Sequence, residues 1–129
     1  MLKLTNRRTK WFTVPQDTSG DTRIEILFLK PGEVADIEAK SNQVIGKQSG
    51  EEFVTEIGFN MPQRAKAFVS KAVVAWEGVL GSDNQPLPCT ANNKLAVLKE
   101  FDWFGPMIDG FRTELSDEIE SEREELEKN

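Results

Sequence analysis

The chain has 129 residues, with one cysteine, no histidine, no tyrosine and a formal net charge of −6. That is the size of one domain, and a lone cysteine cannot close an internal disulfide. The acidic balance disfavours nucleic acid, whose phosphates it repels. The lack of histidine removes the commonest general base and metal ligand.

Hydrophobic residues make up 38% and charged residues 29%. The first figure is low for a compact globule, which points to a solvated or partner-dependent segment. No apolar run suits a signal peptide, and none reaches the ~18 residues of a membrane span. The expectation is a soluble, cytoplasmic protein.

Residues 1–10 carry Lys3, Arg7, Arg8 and Lys10 without an acid and read as a flexible basic lead-in. Trp11–Val14 is aromatic and β-branched and is closed by Pro15, which predicts a short strand. Asp17–Asp21 is turn material. Arg23–Leu29 alternates, with Ile24, Ile26 and Phe28 on one side, and is the clearest strand. Pro31-Gly32 stops it, and Glu33–Lys40 predicts a short helix. Val44-Ile45 and Phe53–Phe59 predict a second hairpin, turning through Gly46 and Ser49-Gly50.

Asn60 as N-cap and Pro62 in the first turn open the next helix. Phe68, Ala72, Trp76 and Leu80 fall at helical spacing, yet Val73 and Val74 favour sheet. Periodicity leaves 72–79 between the two states, and a helix ending near 72 followed by a short strand is preferred. Gly81–Pro88 is a loop, and Thr90 caps a helix through Leu95, Leu98 and Phe101. Asp102 or Gly105-Pro106 opens the last helix, whose stripe is Phe104, Ile108, Phe111, Leu115 and Ile119. Beyond Ile119 glutamates dominate, with Glu124 and Lys128 as an i,i+4 pair. The predicted fold is α+β: a small antiparallel sheet from the N-terminal half, with helices dominating the C-terminal half. It divides into the lead-in, one domain over 11–119, and an acidic helix end or tail over 120–129.

Catalytic chemistry finds little support. Cys89 has no histidine to activate it and reads as a small hydrophobe. Glu51-Glu52 and Glu124-Glu125 are adjacent, so their side chains point apart and form no ready dyad. The glycines match neither a dinucleotide nor a phosphate loop, and Asp83-Asn84 lacks the rest of a calcium loop. No cofactor or metal is expected. Arg7-Arg8-Lys10-Trp11-Phe12 is the one basic–aromatic patch, too small for a nucleic-acid surface. Most of the three tryptophans and eight phenylalanines belong in the core. Phe101, Trp103 and Phe104 are too close together all to point inward, and aromatics dominate contact hot spots. Trp76, Trp103, Phe104 and Phe111 are therefore the candidates for partner binding, with core packing as their alternative role.

The order of several segments resembles the tail assembly chaperones of long-tailed bacteriophages. They are Phe12-Thr13-Val14-Pro15 with Asp17, Gly20 and Asp21; Ile24-Glu25-Ile26 ending at Leu29; and Ala75-Trp76-Glu77-Gly78-Val79. A turn with Asp83, then Pro86-Leu87-Pro88, Thr90-Ala91-Asn92, a helix and an acidic ending complete the series. One departure is Asn84-Gln85, where glycine would follow the aspartate; asparagine also tolerates the left-handed region. The resemblance implies a non-enzymatic factor in the host-cell cytoplasm, absent from the mature virion. It would coat the tape measure protein, recruit tail tube subunits and self-associate along its client. Genes of this type often yield a longer, frameshifted product. Rival readings are a permanent structural or adaptor protein of a virion, and an acidic inhibitor that mimics nucleic acid.

Overall fold

The computed structural model describes residues 8–49, 52–59 and 61–127. The expected arm over 1–7, the turn at Gly50, the Asn60 cap and the Glu124–Lys128 pair involve residues outside the described ones.

Strand β1 (Thr9–Thr13) pairs antiparallel with β2 (Arg23–Leu27), Thr9 opposite Leu27 and Thr13 opposite Arg23. The alternation of β2 turns Ile24 and Ile26 inward, where they are 1% and 0% exposed. Burying each such side chain contributes roughly 1.5–3 kcal/mol. Phe12 lies opposite Ile24 and shares that face. On the outer face Arg23 pairs with Glu77 at 2.6 Å and lies 5.0 Å from the Trp11 ring centre. Arg23 thus anchors a polar surface over that part of the sheet.

Helix α1 (Pro31–Ser41) starts two residues earlier than Glu33. Pro31 and Gly32 fall inside its first turn, where a missing N–H leaves no bond unmade. The Glu33 carboxylate accepts the Lys30 N–H at 3.1 Å and helps fix that start. Strands β3 (Asn42–Ser49) and β4 (Glu52–Phe59) form a separate antiparallel pair. Gly46 is not in the turn: it lies within β3, opposite Thr55.

Helix α2 (Met61–Ala72) passes directly into β5 (Val73–Glu77), as the valine content favoured. β5 joins the first sheet beside β2, giving the order β1-β2-β5. Its register shifts between Glu25 and Ile26, which leaves Val74 as an extra residue, 40% exposed. A bulge of this kind twists an edge strand and discourages further pairing.

Helix α3 (Ala91–Glu100) begins as expected: the Thr90 hydroxyl oxygen accepts the Asn93 N–H at 3.2 Å. It ends one residue before Phe101, whose backbone is extended. Helix α4 (Phe104–Glu127) takes Gly105 and Pro106 into its first turn. Gly105 is buried, and a Cβ there would meet Leu98 at 3.3 Å. Phe104, Ile108 and Leu115 are buried along α4, and Phe111 and Ile119 pack partly against the same core.

The core lies between the inner face of the three-stranded sheet and helices α2 and α4, with Phe68, Val69 and Ala72 supplied by α2. The fold is therefore α+β, with helices gathered on one face of an antiparallel sheet. Two cations of the lead-in are fixed. Arg8 donates to Glu122 at 2.8 Å, and Lys10 donates to Glu118 at 2.7 Å. The first strand is thereby tied to the last helix. Residues 120–127 of α4 are all exposed, although the helix continues through them. Among the described residues, no helix is long and apolar enough to cross a membrane.

Candidate contact surface

Three connections meet at one end of the sheet: the β1–β2 turn, the segment after β5, and the α3–α4 junction. The first is organised by Asp17. Its carboxylate accepts the Ser19 hydroxyl at 2.6 Å and the Ser19 N–H at 3.1 Å. It also accepts the Thr22 hydroxyl at 2.6 Å and the Thr22 N–H at 3.1 Å. The Ser19 hydroxyl, then that of Thr22, hold this carboxyl down at about 2, against an ordinary 3.8. A folded-state value below the unfolded one stabilises the fold above pH 3.8, and the contribution vanishes as pH falls through about 2. Asp17→Asn is therefore expected to flatten the acid limb of stability between those pH values, checked by urea midpoints across the range.

The second connection leaves β5 through Gly78 and closes a tight turn. The Gly81 N–H donates to the Gln85 carbonyl at 2.9 Å, and the Leu87 N–H donates to that of Val79 at 2.8 Å. Asn84 adopts φ +62°, so asparagine fills the left-handed position where glycine was expected. The Trp76 indole N–H donates to the Leu87 carbonyl at 2.6 Å and pins the far side of the turn to β5.

These connections enclose a groove of about 340 Å³. Val14, Ile24, Val97 and Phe104 form its base, and Leu80, Phe101 and Trp103 line its upper walls. Leu80 is 56% and Phe101 42% exposed, both large for apolar side chains. Phe101 lies 5.1 Å from the Trp103 ring, which meets Phe104 edge-on at 6.3 Å. A concave apolar surface with exposed aromatic walls has the shape and chemistry to accommodate apolar side chains.

The four aromatic candidates divide on this geometry. Phe104 is 2% and Trp76 9% exposed, so both are core rings, and Trp76 is already committed to Leu87. Phe111 is partly buried and stacks on Phe12 with ring centres 4.5 Å apart. Trp103 is half-buried in the groove wall. Leu80 was not singled out from sequence. Its one signal is that an apolar residue directly precedes the Gly-Ser-Asp-Asn loop. Cys89 is half-buried, and burial pushes its thiol up, with Lys94 opposing. That is opposite to what a thiolate nucleophile needs.

No family model, no curated protein and no solved structure matches this chain.

Proposed function

We propose that the protein is a tail assembly chaperone of long-tailed bacteriophages. It holds apolar helical segments of the tape measure protein in the host-cell cytoplasm and brings tail tube subunits to them. It self-associates along its client and leaves before the virion is complete. The order of sequence segments described above suggests this role, and the groove between Leu80, Phe101 and Trp103 is the observation that carries it. Such a function needs no catalytic group. It needs exposed apolar side chains on a stiff support, and the Asp17 and Trp76 hydrogen bonds supply that support.

The test is co-expression with the tape measure and tail tube proteins encoded beside the gene. The expected result is co-purification, with the tape measure protein soluble. Leu80→Ser with Phe101→Ser should abolish capture and leave the urea midpoint nearly unchanged, since both side chains are already exposed. Failure to capture either protein, with both shown to be present, would sink the proposal. So would recovery of the chain from purified virions.

A further inference from the structure

A second groove, of about 620 Å³, runs between α2 and α3. Ala65, Leu95, Ala96 and Leu98 form its floor, and Lys66 and Lys99 stand on its rim. Both lysines are exposed. Of the other described cations, Arg8, Lys10, Arg23, Lys40, Arg64, Lys71, Arg112 and Arg123 each meet a carboxylate, while Lys30, far from this groove in sequence, does not. Arg64 and Arg112 also lie within 4.6 and 3.7 Å of the Phe68 ring centre. Lys66 and Lys99 make no ion pair with any of the described residues, in a chain with 22 acidic against 16 basic side chains. On the same helix as Lys99, Lys94 donates to the Ser70 carbonyl at 3.2 Å instead of to an acid. No carboxylate is among the residues that line this trough, although the chain as a whole has a surplus of them.

We propose that the α2–α3 groove docks an acidic amphipathic helix of a second protein. Its small and apolar stripe lies on Ala65, Leu95, Ala96 and Leu98, and its flanking carboxylates meet Lys66 and Lys99. Two packed helices with alanines lining the groove between them leave room for a third helix at close spacing, and such grooves read an apolar stripe at i, i+3, i+4 and i+7. The acidic helices of another copy of this chain fit poorly. Ile37 of α1 is buried in its own core, and the exposed end of α4 past Ile119 offers Leu126 alone. The groove is separate from the one formed by Leu80, Phe101 and Trp103, and its occupant has a different chemistry, so this proposal does not rest on the tail-assembly reading.

The probe is a fluorescein-labelled synthetic helix of about 18 residues, with leucine and alanine along one stripe and glutamate on both flanks. A second peptide carries lysine at every glutamate position. The full chain should raise the anisotropy of the glutamate peptide saturably, less so at high salt, and leave the lysine peptide free. Amide shifts on binding should gather at Ala65, Leu95 and Leu98. The variant Lys66→Glu with Lys99→Glu should weaken the glutamate peptide by about tenfold or more and capture the lysine peptide instead. Its amide spectrum away from the groove should match that of the unaltered chain, which separates lost binding from lost folding. Equal binding of the two peptides, no binding of either at millimolar protein, or an unchanged affinity in the double variant would each overturn the proposal. Amide shifts gathered at Leu80 and Phe101 would do so too. If light scattering showed the chain associating with itself through this groove, a second copy would replace the acidic partner and the proposal would fall.

Discussion

Gly78→Ala is expected to lower the unfolding free energy by roughly 2–5 kcal/mol, enough to unfold a substantial fraction of a marginally stable domain. Two effects add. Gly78 has φ +77°, and placing a side chain in that region costs about 1–2 kcal/mol. A β-carbon there would also stand 2.8 Å from the Asp21 carbonyl carbon and 3.0 Å from the Thr22 Cα, and would crowd the Asp21 oxygen still more closely. Overpacking of this kind typically costs about 1–3 kcal/mol. The backbone cannot easily move away. The Val14 N–H donates to the Thr22 carbonyl at 2.9 Å, and Asp17 holds Thr22 from the other side. Gly20 provides the control. Its φ is +76°, but a Cβ there would meet nothing within 4 Å. Gly20→Ala should therefore lose only the conformational part, about 1–2 kcal/mol. Urea unfolding of both variants measures the difference, and equal losses would show that the approach to Asp21 does not matter.

Phe104→Ala should be at least as damaging, at about 3–5 kcal/mol, because it removes an almost completely buried ring from the core. The ring is 2% exposed and forms part of the base of the first groove. Phe104→Leu should recover most of the loss, since near-isosteric apolar exchanges usually cost less than about 1.5 kcal/mol. Trp103→Ala, one residue away and half-buried, should cost clearly less than Phe104→Ala while weakening client capture. The two neighbours thus separate a supporting role from a contacting one. Denaturant midpoints beside co-purification yields would reveal it. A midpoint for Trp103→Ala as low as that for Phe104→Ala would contradict the division.

The sequence disclosed most where a signal was local. Ile24 and Ile26 at period two marked β2, Thr90 marked the start of α3, and the stripe from Phe104 to Ile119 marked α4. The break from α2 to β5 was legible because Val73 and Val74 are stiff at χ1. The partner of β5 was not legible. Pairing with β2 reaches back about fifty residues and leaves no local trace. Burial of rings was equally hidden, because Trp76, Trp103, Phe104 and Phe111 differ in what surrounds them and not in kind. Pro31-Gly32 misled for a local reason: the pair ends strands but also fits the first turn of a helix. The basic lead-in and the acidic end of α4 each looked solvated alone. Only the fold brings Arg8 and Lys10 to Glu118 and Glu122.

That tie between first strand and last helix bears on how the molecule is made. During translation β2 emerges about 80 residues before Ile108, an interval of roughly 4–16 s at 5–20 residues per second. Through that interval Ile24 and Ile26 lack the helix that finally covers them, and α2 offers the first shelter when Phe68 and Val69 appear. The nascent chain therefore passes through a window in which its own sheet is sticky. Chains held on ribosomes stalled before residue 104 should be protease-sensitive, and the released 129-residue chain, with α4 free to dock, should resist.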